Sequence, residues 1–253
     1  NAGRPQDAET IRRAAGFLVG CVREDGGIYI DVPGVKGGGL GTYNTAICMI
    51  ALHRVGRGQY DRIVTGARKY LSRSQHMEDD AFRGGFGYDR ATHRPYTDMM
   101  NTHWALTAMR ITQDVADRQP EPAGIDIDWQ RALEYVAAMQ NTAAGSDAVN
   151  AGGFFYNPDD PKAGVRTNAV GRPFLRSYGS ITYAGLLSLI YAQVGRDDPR
   201  VVSAVDYARR HWTLDENPGM GQQGLFYYYN IMARALDLTG LRELPLAEGG
   251  SIP

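Results

Sequence analysis

The chain has 253 residues, of which 43% are hydrophobic and 22% are charged, so it can bury a core of ordinary size for one soluble domain. Its 27 basic and 28 acidic side chains nearly cancel, and no basic run is interleaved with aromatic residues, which argues against nucleic-acid binding. No stretch reaches the roughly 20 apolar residues needed to cross a bilayer, and the first residues lack the apolar segment of a signal peptide. The compartment stays open, because a cleaved leader would leave no trace.

The two cysteines, Cys21 and Cys48, do not form a C-x-x-C pair. Each falls inside an apolar helical pattern, where a buried free thiol is the common case. The sequence therefore predicts no metal site, no redox centre and no cofactor.

One block of sequence returns four times: a helix-like stretch, a glycine-rich aromatic turn and a second helix-like stretch. The four units cover approximately residues 8–58, 59–118, 126–196 and 198–240, and a tail follows at 241–253. Repeats of this size predict stacked supersecondary units that share one continuous core. The turns read Gly26-Gly27-Ile28-Tyr29, Gly84-Gly85-Phe86-Gly87-Tyr88, Gly152-Gly153-Phe154-Phe155-Tyr156 and Gly221-Gln222-Gln223-Gly224-Leu225-Phe226-Tyr227.

Apolar residues recur at helical spacing in both helices of each unit, which predicts one buried stripe per helix. Alternating β patterns are short and scarce. The sequence therefore predicts an all-α fold of about four helical hairpins, with the eight stripes as its core. In the first helix the stripe consists of Ile11, Ala14, Ala15, Leu18 and Val22.

The third turn is extended by a segment from Asn157 to Tyr178 that is rich in proline and glycine. An irregular segment of this length is unusual in a compact domain and is often functional. It is interpreted either as a solvated flap or as a lid whose cations meet an anionic ligand. The cations are Lys162, Arg166, Arg172 and Arg176.

The repeated units resemble the prenyltransferase and squalene-oxidase repeats, which build the α/α toroids of terpenoid cyclases and protein prenyltransferases. The resemblance covers roughly residues 8–240 and implies an α/α toroid. Such toroids usually close with about six hairpins, so four imply an abbreviated ring that either self-associates or lacks flanking repeats. The motifs that carry the resemblance are Leu71-Ser-Arg-Ser-Gln75, Asp98-Met-Met-Asn-Thr102, Ala137-Ala-Met-Gln140 and Ser177-Tyr-Gly-Ser-Ile-Thr-Tyr-Ala-Gly185, together with the turns.

The resemblance implies an apolar, aromatic central cavity fitted to isoprenoid chains and to carbocations that ring faces stabilise. The alternative is that the rings only lock neighbouring repeats together. The aromatic residues that could line the cavity are Tyr29, Tyr43, Phe86, Tyr88, Trp104, Phe155, Tyr156, Tyr183, Phe226 and Tyr227.

Cyclases that protonate an alkene share an Asp-x-Asp-Asp motif, and the nearest match here ends in Trp129 instead of the final aspartate. Its Asp128 is better explained as a helix N-cap. A second acidic cluster, Glu78-Asp79-Asp80, could share protons or bind a divalent ion, or it could simply lie in a solvated loop.

Protein prenyltransferases hold zinc at a helix start that the segment from Asp98 resembles. Asn101 stands where the family has its ligand histidine, so the zinc site is not expected. His103 is interpreted as a hydrogen-bonded structural residue rather than a ligand or base. The fourth turn also resembles the thioester turn of complement-type toroids, but Met220 replaces the cysteine, which removes that chemistry.

The sequence is compatible with two functions. The first is a terpenoid-cyclase-like or prenyltransferase-like toroid that binds an apolar, isoprenoid-like ligand. The second is a non-enzymatic repeat scaffold that binds a protein partner. If the protein is an enzyme, the candidate catalytic residues are Asp79, Asp80, Asp98 and His103.

Overall fold

The computed structural model describes residues 5–32, 40–56, 58–89, 96–119, 124–240, 243–247 and 249–252, so part of the predicted tail lies outside the described residues. Within them the protein is mostly helical, and the predicted all-α fold is confirmed. The helices are α1 (Pro5–Gly20), α2 (Gly41–Val55), α3 (Asp61–Ser74), α4 (Met99–Ile111), α5 (Gln113–Asp117), α6 (Trp129–Ala138), α7 (Gly179–Tyr191), α8 (Pro199–His211) and α9 (Leu225–Thr239). The strands are β1 (Val165–Thr167), β2 (Pro173–Leu175), β3 (Leu244–Pro245) and β4 (Ser251–Ile252).

The second helices of the four units form the centre of the core. They pack in series, with α2 against α4, α4 against α7 and α7 against α9. Every residue of α7 except Ile190 is buried, as expected for a helix covered on all sides. Of the first helices, α3 packs on α2 and α8 on α7. Closure of the row into a toroid stays a prediction.

In each of the first three units, a threonine of the second helix binds the turn of the same unit. The Oγ1 atoms of Thr45, Thr102 and Thr182 accept hydrogen bonds of 2.8, 3.0 and 3.0 Å from the backbone N–H of the turn residue that follows the two glycines. The contact fixes each turn against the second helix of its unit.

The first glycine of each of these turns touches the backbone of the first helix in the next unit. Gly26, Gly84 and Gly152 have φ of 91°, 92° and 85°, in the region that favours glycine. A Cβ atom at these positions would collide with the carbonyl groups of Gly66, Arg131 and Ser203, respectively. Units therefore approach one another at a distance that only glycine allows.

Glutamines reinforce this contact between units. The Nε2 atom of Gln75 donates to the Gly84 carbonyl in its own turn at 3.0 Å and to the Asp128 carbonyl in the next unit at 2.9 Å. Gln140 makes the equivalent pair of hydrogen bonds to the carbonyls of Gly152 and Arg200. Gln75 is buried and Gln140 is half-buried, so water competes little for the first link between units and more for the second.

The stripe predicted for α1 is wrong. Ala15 is the only buried residue among the five, while Ile11 and Ala14 are exposed and Leu18 and Val22 are half-buried. The corresponding faces of α3 and α8 are covered by the preceding unit, and α1 has no described unit before it. Helical periodicity identified an apolar face without identifying a neighbour for it.

The long segment after the third turn is built around a hairpin. Strands β1 and β2 pair antiparallel, with Val165 opposite Leu175. Asn157 anchors its start, because its Nδ2 atom donates to the buried Thr97 carbonyl at 2.5 Å. Among the described helices, none has the length and apolar character to cross a membrane.

We predict that Gly84→Ala destabilises the protein far more than Gly171→Ala. Both residues have positive φ, 92° and 81°, so each substitution carries the backbone strain of about 1 kcal/mol. A Cβ atom at Gly84 would also lie 2.0 Å from the Arg131 carbonyl oxygen of the next unit, whereas a Cβ atom at Gly171 would have no neighbour within 4 Å. The added collision should lower the free energy of unfolding by a further ~2 kcal/mol or more, measured by urea denaturation. Equal losses for the two variants would contradict the close contact between units.

Candidate functional site

Asp98 is fully buried at the N-cap of α4. Its Oδ1 atom accepts the backbone N–H of Asn101 at 2.8 Å, and its Oδ2 atom accepts the Asn101 side-chain amide at 2.6 Å. Burial raises the pKa of this carboxyl to about 6, although Asn101 and the Tyr156 hydroxyl favour the charged form. Asp98 therefore changes its protonation state close to neutral pH.

The repeat itself does not require an acid at this position. The backbone N–H groups of Thr42, Met99 and Gly179 each donate to a carbonyl at the end of, or just before, the turn of the following unit, which aligns the three helix starts. The residues directly before them are Gly41, Asp98 and Tyr178. Helices α2 and α7 begin without a side-chain cap, so the helix start alone does not explain a buried carboxyl in α4.

Six tyrosines lie close to the carboxyl or pack on a tyrosine that does, and we call them the phenol cluster. The hydroxyls of Tyr88 and Tyr156 lie 3.5 Å apart, and the rings of Tyr43 and Tyr88 have centroids 6.2 Å apart. Burial raises the pKa of each phenol, and the negative charge of Asp98 adds to the effect for all of them except Tyr43. The cluster consists of Tyr43, Tyr88, Tyr96, Tyr156, Tyr178 and Tyr227.

The phenol cluster draws on all four units. Tyr43 lies in the first turn of α2 and Tyr227 in the first turn of α9, so the outermost second helices both contribute. The proximity of Tyr43 raises the pKa of the Tyr227 phenol. The Tyr227 hydroxyl is buried and has no hydrogen-bond partner among the described residues. An unpaired buried hydroxyl is expensive, so this end of the helix row suits a bound group.

The segment between Asn157 and Tyr178 places a cation on the cluster. The Lys162 Nζ atom lies 3.3 Å from the ring centroid of Tyr156, within the range of a cation–π contact. Its charge also favours the ionised form of Asp98. Arg166 instead pairs with Asp147, and Arg176 donates to the Ala163 carbonyl, so the segment's cations do not converge on one site.

His103 and Trp104 lie on α4 with ring centroids 5.2 Å apart. His103 is fully buried, and burial together with Arg234 lowers its pKa to about 3, so the imidazole is neutral. Its Nδ1 atom lies 3.4 Å from the Thr107 hydroxyl, and its Nε2 atom has no partner within the described part of the chain. The Arg234 guanidinium stacks 5.1 Å from the Trp104 ring centroid. A histidine of such low basicity is a poor acceptor for a proton near pH 7.

Asp79 and Asp80 lie on an exposed turn. Asp79 pairs with Arg83 at 3.0 Å, and Asp80 pairs with His76 at 2.9 Å. The His76 contact and the Phe82 backbone N–H lower the pKa of Asp80 despite slight burial, so it stays ionised at neutral pH. No described hydrogen bond connects either acid with Asp98.

The predicted aromatic residues divide into separate environments. Four of them, Tyr43, Tyr88, Tyr156 and Tyr227, belong to the phenol cluster. Phe86 is buried in the core and Phe155 is half-buried, whereas Phe226 is 86% exposed. Tyr29 and Tyr183 pack on Tyr70 and Tyr228, respectively, with ring centroids 5.8 Å apart in each pair.

Two members of the phenol cluster escaped the sequence analysis. Tyr178 directly precedes α7, and its alignment with Asp98 could have identified it as a residue of the same end of the core. Tyr96 offers no comparable signal, because its hydroxyl reaches Asp160 in the third unit at 3.0 Å, a contact that depends on the folded chain. No group of three or more metal-ligating side chains occurs among the described residues, including those around Asn101.

We predict that Asp98→Asn stabilises the protein at neutral pH. Asparagine caps helices as well as aspartate does, so the substitution removes the charge and keeps the cap. Because the folded pKa of Asp98 is raised to about 6, the native carboxyl holds its proton more tightly than the unfolded one. The contribution of this proton to the free energy of unfolding is therefore fully present below about pH 4 and is lost as the pH rises through 6. Urea unfolding should show Asp98→Asn more stable by roughly 1 to 3 kcal/mol at pH 7.5, and a much smaller difference at pH 4.5. A pH-independent difference would contradict the raised pKa.

No family model matches the chain, and no curated protein matches it. The resemblance to terpenoid cyclases and prenyltransferases thus stays a prediction from the motifs.

Proposed function

We propose that the protein binds an apolar, isoprenoid-like molecule beside the phenol cluster and that Asp98 acts on it as an acid. The observation that carries the proposal is a fully buried carboxyl beside a tyrosine cluster to which all four units contribute, at a position where the repeat needs no acid. Terpenoid cyclases, which the motifs resemble, combine the same two elements: an acid and aromatic faces.

The chemistry requires a neutral carboxyl before the reaction and a stabilised carboxylate after it. An alkene of the ligand would take the Asp98 proton with its π electrons, forming a C–H bond and leaving a carbocation. Asn101 already donates two hydrogen bonds that stabilise the carboxylate left behind. A pKa of about 6 keeps a fraction of the acid protonated at neutral pH.

The phenol cluster suits the cationic product. Electron-rich ring faces attract positive charge, and a phenol held neutral by its raised pKa offers a face without adding a negative charge. The phenols of Tyr156 and Tyr178 are held in this state by burial and by Asp98. A cation formed next to Asp98 would also be paired with the new carboxylate.

The proposal is tested by extraction and turnover. Freshly purified protein is extracted with organic solvent for mass spectrometry, and parallel samples are incubated with squalene and with isoprenoid diphosphates. We expect a stoichiometric apolar ligand or a new product. Asp98→Asn should lower turnover at least 100-fold, the scale of a lost general acid, and should still bind the ligand. Asp128→Asn is the matched control, because Asp128 is also an N-cap but is exposed, and it should retain turnover.

Other outcomes separate the alternatives. Loss of turnover in Asp80→Asn, with full turnover in Asp98→Asn, would show that the acid is Asp80 on the exposed turn and not Asp98. An empty extract without turnover on any of these substrates would contradict the proposal and favour the repeat scaffold. The glycine and glutamine contacts between units involve no ligand, which is consistent with such a scaffold.

A further inference from the structure

Helices α4, α7 and α9 place a guanidinium among side chains that do not neutralise it. Arg234 on α9 is half-buried, and its Cζ atom lies 5.1 Å from the ring centroid of Trp104 on α4. Its Nη2 atom donates one long hydrogen bond, of 3.4 Å, to the Tyr191 hydroxyl on α7. No acidic side chain pairs with Arg234 in the described part of the chain. A partly desolvated cation without an anion is costly, so these contacts lack a negatively charged partner.

Hydrogen-bond donors near Arg234 are unpaired as well. The Trp104 Nε1 atom and the Tyr227 hydroxyl are buried, and neither has a partner among the described residues. Tyr227 precedes Arg234 by seven residues in α9, so both lie on one face of that helix. Indole and guanidinium N–H groups can only donate hydrogen bonds. The group that would satisfy them is therefore an acceptor, and beside a cation the best acceptor is an anion.

The electrostatics of this part of the core agree with a missing anion. Burial and the charge of Arg234 lower the pKa of His103 to about 3, so the imidazole adds no positive charge. Burial raises the pKa of the Tyr227 phenol, and Arg234 opposes that shift. Arg234 thus lies near side chains of both α4 and α9 and supplies the positive charge between them.

The number and shape of the cations indicate which anion fits. A guanidinium presents paired N–H groups that match the two oxygens of a carboxylate. Lys162, the cation on the phenol cluster, lies instead on the Tyr156 ring and close to Asp98. A diphosphate brings several negative charges, which a single guanidinium does not compensate. The contacts of Arg234 therefore suit one carboxylate better than a diphosphate.

A carboxylate on Arg234 would direct an apolar tail toward the phenol cluster. Seven residues separate Tyr227 from Arg234, a distance of about 10 Å along the helix. Tyr227 lies in the first turn of α9, and its pKa is raised in part by the charge of Asp98. A tail of that length would lie among the phenols and end beside the buried acid.

We propose that the ligand is a carboxylic acid with an apolar, isoprenoid-like tail, and that Arg234 and the Trp104 indole N–H bind its carboxylate. This inference rests on the apolar ligand of the proposed function and names its head group. It does not require Asp98 to act as an acid, because the carboxylate lies at the opposite end of the tail.

The proposal is tested by calorimetric titration with three compounds that share one tail: geranic acid, geraniol and geranyl diphosphate. At neutral pH the wild-type protein should bind the carboxylate at least tenfold more tightly than the alcohol, the scale of one charge-assisted hydrogen bond, and more tightly than the diphosphate. Arg234→Gln should weaken binding of the carboxylate at least tenfold and leave binding of the alcohol unchanged.

Two further variants complete the experiment. Trp104→Phe keeps a ring beneath the guanidinium and removes only the N–H donor, so it should weaken binding of the carboxylate about threefold without disturbing the fold. Arg62→Gln is the matched control, because Arg62 is exposed on α3 and its loss changes the net charge by the same amount. Its affinity for the carboxylate should equal that of the wild type.

Three results would overturn the proposal: a carboxylate that binds no tighter than the alcohol, one that binds Arg234→Gln as tightly as the wild type, or a diphosphate that binds tighter than the carboxylate. Asp98→Asn separates this inference from the proposed function, since it should bind geranic acid normally. Turnover that depends on Asp98 but not on Arg234 would remove the carboxylate site alone. Binding that depends on Arg234, without turnover, would remove the acid chemistry alone.

Discussion

The structure depends on the contact between a left-handed turn glycine and the backbone of the next unit's first helix. Gly26, Gly84 and Gly152 make this contact, and a side chain at any of them would push two units apart. The close approach places Gln75 and Gln140 within reach of carbonyl groups in two units at once. With the spacing between units fixed in this way, the second helices pack as a row, and their N-terminal ends bring side chains from all four units together.

That convergence accounts for the character of the candidate site. Asp98 is removed from water by its neighbours, so its ionised form is costly, and two hydrogen bonds from Asn101 offset only part of the cost. A protein that needed only a helix cap could use a more accessible aspartate, as it does with the exposed Asp128 and the half-buried Asp198. Retaining a destabilising acid is the compromise expected where a residue is kept for chemistry rather than for folding.

The all-α fold was predictable because turn composition and helical spacing are local properties. The prediction for the stripe of α1 failed, since Ile11 and Ala14 have the right spacing but no described unit beside them, and spacing does not report neighbours. The site was only partly predictable. Tyr43, Tyr88 and Tyr156 follow from their positions near turns, whereas Tyr96 and the stacking of Lys162 on Tyr156 depend on where a long irregular segment returns to the core.

The helix-start positions of Gly41, Asp98 and Tyr178 are equivalent in the backbone and different in their surroundings. The hydrogen bonds that align each start come from the following backbone N–H, so the backbone alone does not dictate the side chain there. At Gly41 the neighbours do, because a Cβ atom would lie 2.3 Å from the buried Tyr70 hydroxyl. An acid transferred from Asp98 to the equivalent position of the first unit would therefore require the Tyr70 ring to move first.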